Sequence, residues 1–334
     1  MPGLRLTVAV EKLEFSAPFR IAGFVFEHQD ALVVALDDGT HRGRGEASGV
    51  FFLGERVERM AEQIEARRAI IERGIDRSAL QHLLPPGGAR NALDCALWEL
   101  EARRMDKPVW ELAGLKPPKP LLTTFTLGAE SPEVMAAGAR RYAQARALKV
   151  KLTGDLVLDG ARITAVRRAR PDVWMGVDAN QAYPVEQLPQ LLRILVDARV
   201  ELLEQPVARG HEQGLEDLVS PIPIAADESA LALPDVAGLA GRFDVINIKL
   251  DKCGGLTEGL AMAHEAHRLG LKVMVGNMMG SSLAMAPAFV LGQLCEVVDL
   301  DGPTFLKRDR VPGVRYADGM IECDEAVWGS PRAA

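Results

Sequence analysis

Short apolar runs alternate with helical stretches along most of the chain. Eight such runs follow residue 120, spaced roughly 22 to 27 residues apart, which is enough for one strand, one helix and two short loops. They cover residues 123–127, 148–152, 174–178, 201–204, 222–227, 245–249, 273–276 and 297–299. Helical patterns fill the seven intervals, and no convincing helix follows the eighth run. The pattern predicts an α/β fold with a TIM-type (β/α)7β barrel.

The first 118 residues have a different pattern, with strands first and helices afterwards. Residues 4–10 alternate as a strand does, and residues 31–47 are typical of a hairpin. Helical patterns then cover residues 55–73, 78–84 and 89–104.

The sequence Pro-Pro-Lys-Pro at 117–120 interrupts any continuing element, so we place a domain boundary there. After Gly302-Pro303, a strand-like tail at 314–322 is expected to return to the N-terminal unit. We therefore predict an α+β capping domain, 1–118 with 303–334, and a catalytic barrel, 119–302.

Composition and charge exclude several classes of protein. The 334 residues are 48% hydrophobic and 25% charged, as in ordinary soluble proteins, and the net charge is −7. This charge predicts binding neither to nucleic acid nor to a membrane surface. Without a signal peptide, an apolar span of ~20 residues or clustered cysteines, we expect a cytoplasmic protein with reduced thiols.

Three carboxylates end three consecutive barrel strands. The third, fourth and fifth runs end in Asp178, Glu204 and Asp227, and barrel active sites lie at this end of the strands. A single acid there is more often a loop residue or a helix cap. Three neighbouring acids repel one another unless a cation lies between them, and oxygen ligands suit Mg²⁺ best. The series therefore predicts a magnesium site.

Lysines end the second and sixth runs, which face each other across a ring of eight strands. Lys149 and Lys151 share one face of the second run because side chains alternate along a strand, and Lys249 ends the sixth. Lys149 and a nearby cation are expected to lower the pKa of Lys151, making it a usable base. The alternative is that the lysines only neutralise the acids. Lys252, just beyond the sixth run, is expected at the surface or next to the site.

Two further acids, Asp299 and Asp301, share a face of the eighth run. That run is expected opposite the fourth one, away from the metal. Two carboxylates there require a separate cation, most simply a substrate ammonium group. The alternative is a solvated turn that caps the last strand.

These motifs resemble a known family. Lys-x-Lys, the Asp/Glu/Asp series and the sixth-strand lysine, in this order and spacing, resemble the muconate-lactonizing subgroup of the enolase superfamily. Asp-x-Asp within 299–304 resembles the dipeptide epimerases of that superfamily. Segments 89–98 and 247–255 carry the similarity too, so that it covers nearly the whole chain.

The resemblance implies a role for each of these residues. Lys151 and Lys249 would form the acid/base pair, and Asp178, Glu204 and Asp227 would bind one Mg²⁺ per subunit. Asp299 and Asp301 would hold the ammonium group of a dipeptide. Thr126 and Lys149 fall where substrate contacts are expected, and Thr124, on the same face as Thr126, remains an alternative.

Two loops of the small domain close the site in members of this family. The corresponding segments would be 19–28 and 49–54. The apolar segment 50–53 either covers the substrate or packs in the core. Members that act on glutamate-containing dipeptides can carry a basic residue in the first loop, for which Arg20 and His28 are the candidates.

The resemblance therefore implies an isomerase, a dipeptide epimerase that moves a proton at the α-carbon of the C-terminal residue. The expected substrate is L-Ala-D/L-Glu from murein peptides, and we expect a homo-oligomer. N-succinylamino acid racemase and o-succinylbenzoate synthase are alternatives that use the same lysines and ligands, but their substrates lack a free ammonium group. A non-catalytic binding protein is a further alternative, although binding alone needs no opposed bases.

Overall fold

The chain begins with a three-stranded antiparallel sheet. The structure, a computed structural model, describes residues 3–331. Strand β1 (Arg5–Ile21) pairs with β2 (Phe24–Asp37), which pairs with β3 (Arg42–Ala47). The prediction of a loop at 19–28 is wrong, because Phe19 pairs with Phe26 and the hairpin continues to its tip. The alternating side chains there pack as a strand does.

Five helices follow this sheet. They are α1 (Val57–Glu65), α2 (Arg68–Glu72), α3 (Arg77–Leu83), α4 (Gly88–Met105) and α5 (Val109–Leu112). The single helix predicted over 55–73 is divided between α1 and α2. Ile64 of α1 and Ile71 of α2 are both buried in the core beneath the sheet.

Helix α4 lies between the sheet and the rest of the molecule. On the sheet side, a Cβ at Gly43 or Gly45 would overlap a backbone carbonyl of α4, so that only glycine allows this close approach. On the other side, a Cβ at Gly255, whose φ is +118°, would lie 2.5 Å from the Cβ of Asp94. Contact on both sides explains why almost every residue of α4 is buried.

Eight parallel strands form the barrel in sequence order. After β4 (Leu121–Leu122), they are β5 (Thr124–Leu127), β6 (Ala147–Lys151), β7 (Trp174–Asp178), β8 (Leu202–Glu204), β9 (Ile224–Ala226), β10 (Val245–Ile248), β11 (Lys272–Val275) and β12 (Val297–Val298). The two ends of this sheet, β12 and β5, meet in a nearly closed barrel, where the backbone N–H of Leu300 donates to Thr123 Oγ1 at 3.0 Å. Each of the eight apolar runs predicted from the sequence thus overlaps a barrel strand.

Helices cover the outside of the barrel. They are α6 (Pro132–Arg141), α7 (Leu156–Ala169), α8 (Leu188–Asp197), α9 (Val236–Leu239), α10 (Leu250–Cys253), α11 (Leu256–Arg268) and α12 (Ser282–Gly292). The prediction of a helix in every interval is wrong after β8, where the described residues form only a short 3-10 turn, Glu212–Leu215. Prolines and glycines in that interval prevent a longer helix. No helix among the described residues has the length and apolar character needed to cross a bilayer.

The tail contacts both parts of the chain. Its hairpin, β13 (Arg315–Ala317) and β14 (Met320–Glu322), pairs with β4 and not with the N-terminal sheet, which corrects the expectation for 314–322. The flanking residues do reach the N-terminal unit. Arg310 pairs with Glu46 at 2.6 Å, and Trp328 Nε1 donates to the carbonyl of Arg44 at 2.9 Å.

Candidate active site

Three buried carboxylates meet at the C-terminal end of the barrel. Asp178 ends β7, Glu204 ends β8 and Asp227 directly follows β9. One oxygen from each carboxylate lies within 4.8 Å of the others. The structure therefore brings together the three acids predicted from the strand ends, and we refer to them as the acid triad.

Each acid of the triad has one oxygen anchored from outside the cluster. The anchoring bonds are Asn180 N to Asp178 Oδ1 (2.9 Å), Asn247 Nδ2 to Glu204 Oε1 (2.9 Å) and Lys252 Nζ to Asp227 Oδ1 (2.6 Å). The other oxygen of each acid faces the interior of the site. The sequence did not identify Asn247, and the surface position considered for Lys252 is wrong, because that side chain is buried. Lys252 follows Lys249 by three residues on the single turn of α10, and this spacing could have predicted that both lysines lie near the site.

Lysine ammonium groups contact the inner oxygens of the triad from two sides. Lys149 Nζ lies 2.7 Å from Glu204 Oε2 and 3.2 Å from Asp178 Oδ2, and Lys151 Nζ lies 2.6 Å from the same Asp178 oxygen. From across the barrel, Lys249 Nζ lies 2.7 Å from Asp227 Oδ2. The predicted opposition of the second and sixth strands is therefore present.

The buried charges shift one another's pKa values. Burial disfavours the ammonium form of Lys249, but attraction by Asp227 outweighs it and holds the pKa of Lys249 above its usual value. Burial also opposes ionisation of Asp178, yet the charges of Lys151 and Lys149 lower its pKa to about 2. These groups therefore form a network of opposite charges, in which each ammonium group has a carboxylate neighbour.

The last barrel strand contributes to the same network. Asp299 Oδ2 lies 2.8 Å from Lys149 Nζ, and Thr124 Oγ1 donates to Asp299 Oδ1 at 2.5 Å. The expectation that this strand lies apart and lacks a cation is wrong for Asp299, because the long Lys149 side chain reaches across to it.

Asp301 accepts a hydrogen bond from the backbone N–H of Thr126 at 2.6 Å. Burial, and then the charge of Asp299, raise the pKa of Asp301 to about 7. These contacts distinguish Thr124 from Thr126, the two threonines considered as substrate contacts. Thr124 contacts Asp299, whereas Thr126 contacts Asp301 and also lines the cavity.

A cavity lies above these charges, beneath the N-terminal unit. Lysines and acids line its floor, and side chains from the β1–β2 hairpin and from 49–52 line its walls. Asp251 holds segment 48–49 against the barrel, because its Oδ1 accepts the backbone N–H groups of Ser48 and Gly49, both at 2.8 Å. The apolar segment 50–53 therefore lies over the site, where Phe51 and Phe52 line the cavity. Of the two alternatives for this segment, the position over the substrate site is the one observed.

The two basic candidates of the first loop do not line this cavity. Arg20 forms a salt bridge of 2.8 Å with Glu130 and lines a neighbouring depression. His28 lies 3.8 Å from Asp30 and lines a groove on another side of the hairpin.

Family models match both parts of this chain. Residues 5–114 match the N-terminal domain of the mandelate racemase / muconate lactonizing enzyme family, and residues 134–326 match the enolase C-terminal domain-like family.

Individual relatives cover nearly the same span. The chain is 39% identical to L-Ala-D/L-Glu epimerase of Escherichia coli (strain K12) over 91% of this chain and 95% of the relative. It is 37% identical to N-acetyl-D-glutamate racemase of a Pseudoalteromonas species over 89% and 95% of the two chains. A solved dipeptide epimerase from Methylococcus capsulatus, complexed with Mg and L-Arg-D-Lys, superposes with a TM-score of 0.90 at 32% identity, covering 97% and 98%.

Proposed function

Because this chain belongs to the mandelate racemase / muconate lactonizing enzyme family of the enolase superfamily, we propose that it is a Mg²⁺-dependent dipeptide epimerase. It is an isomerase that moves a proton at the α-carbon of the C-terminal residue of a dipeptide. One observation carries the proposal: Lys151 and Lys249 contact the acid triad from opposite sides of the barrel. Inversion at one carbon requires a proton-transfer group on each face of that carbon, and two opposed lysines provide them.

The donor set of the acid triad fits Mg²⁺. All three donors are buried carboxylate oxygens, which a hard divalent cation prefers, and each acid is held in place through its other oxygen. Asp178, Glu204 and Asp227 would hold one ion per subunit. When bound, the ion supplies positive charge that acidifies the α-proton of a coordinated carboxylate.

The lysines carry out the proton transfer. One lysine in its neutral form removes the α-proton, and the electron pair moves into the carboxylate as an enolate. The ammonium group of the opposite lysine then gives a proton to the other face, so that the stereocentre inverts and each lysine has exchanged its protonation state. Lys149, between the triad and Asp299, places a further positive charge beside the developing enolate.

Asp299 and Asp301 would bind the ammonium group of the dipeptide. Both carboxylates are buried at the floor of the cavity, where an unpaired charge is costly and a substrate cation is stabilising. Thr126 positions Asp301 through its backbone N–H. L-Ala-D/L-Glu from murein peptides is one candidate substrate, supported by the name of the relative at 39% identity.

A racemase of N-acylated amino acids is the second candidate, favoured by the relative that is an N-acetyl-D-glutamate racemase. Such a substrate would bring an amide where a dipeptide brings an ammonium group. Two buried acids side by side favour the ammonium group, because an amide N–H neutralises no charge.

The domain division remains part of this proposal. We assign 1–118 to a cap and 119–302 to the catalytic barrel, and the tail 303–334 joins the two: its hairpin pairs with β4, whereas Arg310 and Trp328 contact the N-terminal unit. One apolar core lies beneath the N-terminal sheet and a second lies around the barrel; the second also takes in Trp98 of the N-terminal unit and Ile321 and Trp328 of the tail.

A dipeptide library in D₂O with Mg²⁺ tests the function directly. The expected result is incorporation of one deuterium at the α-carbon of the C-terminal residue, together with formation of the other epimer. Exchange of N-acylated amino acids with no exchange of dipeptides would instead favour the second candidate.

A further inference from the structure

The walls of the cavity differ in chemistry from its floor. Lysines and carboxylates form the floor, whereas aromatic and apolar side chains of the cap dominate the walls. We call the aromatic residues among them the aromatic wall, which consists of Phe19, Phe26, Phe51 and Phe52. Ile21, Met278 and Met279 complete the apolar lining.

Phe51 is the centre of the aromatic wall. Its ring packs edge-on against Phe26 at 5.3 Å and against Phe52 at 5.5 Å between centroids. Phe24, just outside the cavity, packs against the same ring at 5.0 Å and is 47% exposed. Phe26, Phe51 and Phe52 are themselves only half-buried, so aromatic surface remains uncovered where these rings line the cavity.

This wall offers no counter-charge to an acidic side chain. Among the described residues that line the cavity, the only cations are Lys149, Lys151 and Lys249, and each already contacts a buried carboxylate at the floor. The strand itself excludes Arg20: side chains alternate, so Arg20 points away from the face that carries Phe19 and Ile21, and it pairs with Glu130.

The proton-transfer geometry directs one substituent of the substrate at this wall. In the proposed mechanism the α-proton lies on the line between the two lysines, and the carboxylate lies at the acid triad. The amide extends toward Asp299 and Asp301. The remaining substituent, the side chain of the residue being inverted, must therefore project away from the floor and toward the cap.

From these observations we infer that the enzyme selects dipeptides whose C-terminal residue has an apolar side chain, aromatic or long aliphatic, and that Phe26 and Phe51 form its pocket. The inference rests on the proposed function, makes its substrate class more specific and disfavours the L-Ala-D/L-Glu candidate. A glutamate side chain in the same place would lose its hydration without gaining a positive partner, which is unfavourable. An apolar side chain would instead cover exposed aromatic surface.

The test compares two substrates of similar length and shape, L-Ala-L-Met and L-Ala-L-Glu. We expect kcat/KM to be at least about tenfold higher for L-Ala-L-Met, as apolar pockets discriminate against unpaired polar groups. Equal or faster turnover of L-Ala-L-Glu would overturn the inference and leave the epimerase proposal standing. Absence of α-deuterium exchange with every dipeptide would overturn the proposed function itself.

A charge placed in the wall gives an independent readout. Phe26→Arg should raise the preference for L-Ala-L-Glu over L-Ala-L-Met by about tenfold, because it supplies the missing cation. Val25→Arg is the matched control: Val25 is the adjacent residue, 53% exposed and outside the cavity lining, and it should leave the ratio within about twofold. An equal change in both variants would show that Phe26 does not form the pocket. If Phe26→Arg does not fold, the wild-type comparison still decides.

Discussion

Lys149 and Asp299 form an ion pair of 2.8 Å that joins the second barrel strand to the last one. The same ammonium group contacts Glu204 of the acid triad, so that both halves of the site share one cation. Asp299 therefore already has a positive partner, whereas Asp301 has the backbone N–H of Thr126 and a raised pKa of about 7. A substrate ammonium group should therefore stabilise the charged form of Asp301 more than that of Asp299.

The first prediction concerns that ammonium group. N-acetylation of a good dipeptide substrate should lower kcat/KM by roughly 10- to 100-fold, because a buried carboxylate is left without its partner. Asp301→Asn should remove most of this discrimination. Asp318→Asn, at an exposed turn, is the matched control and should retain it. Equal rates for the free and acetylated dipeptides would support the N-acylamino acid candidate.

The second prediction concerns the two bases. Lys249→Ala and Lys151→Ala should each lower epimerisation by about 10²- to 10⁴-fold, the usual contribution of a general acid or base. Each variant should still exchange the α-proton of one epimer in D₂O, and the two variants should prefer opposite epimers. NMR of the α-proton measures both. Lys272→Ala, an exposed lysine at the start of β11, should behave as wild type; near wild-type epimerisation in either site variant would contradict the two-base mechanism.

The third prediction concerns the metal. Exhaustive EDTA treatment should abolish epimerisation, and added Mg²⁺ should restore it. Glu204→Gln removes one ligand charge and should weaken Mg²⁺ binding, measured by calorimetry, by about 100-fold or more, since loss of even an outer partner of a metal ligand costs about 10- to 100-fold. Glu201→Gln, at the other end of the same run and exposed, should bind Mg²⁺ normally. Full turnover without a divalent cation would exclude the metal role of the triad.

The fourth prediction concerns stability and pH. Burial raises the pKa of Asp251 to about 7 in the folded protein, even though Ser48 and Gly49 donate to it. The folded state therefore holds a proton on Asp251 that the unfolded chain releases near pH 4. This contribution to stability is complete below pH 4 and is lost as the pH rises to about 7.

Asp251→Asn keeps an acceptor for both N–H groups and removes the titration. The Tm of the variant relative to wild type should therefore rise with pH, by about 2 °C per pH unit between pH 5 and 7. Thermal melts at several pH values measure the difference. A constant difference across this range would show that Asp251 does not titrate there.

The amino-acid pattern is enough to predict the barrel and the positions of its catalytic and metal-binding residues. Apolar runs at a repeating interval predict parallel strands with helices between them, because each unit must bury its apolar residues against its neighbours. Acids and lysines at the ends of those runs must lie at one end of the barrel, since parallel strands all point the same way. Asp178, Glu204 and Asp227 therefore fall together without any further information.

Local pattern could not determine contacts between residues that are distant in sequence. Lys149 reaches Asp299 because β12 and β5 meet in the nearly closed barrel, and Lys252 is buried because it has Asp227 to neutralise. Asp251 is buried because segment 48–49 lies against it. The two lysine contacts depend on how far a long side chain extends in the folded protein, and the contact of Asp251 depends on where the cap lies against the barrel.

Which side chains of the cap line the cavity likewise follows only from the folded structure. The family resemblance predicts a loop at 19–28, with Arg20 and His28 as candidates for a basic residue near the site, but pairing of Phe19 with Phe26 extends the hairpin to its tip. Strand alternation then directs Phe19 and Ile21 to the cavity and Arg20 away from it. The residues at 19–28 are the same whether the segment is a loop or a hairpin. Only the pairing register of the two strands determines which side chains lie on the inner face.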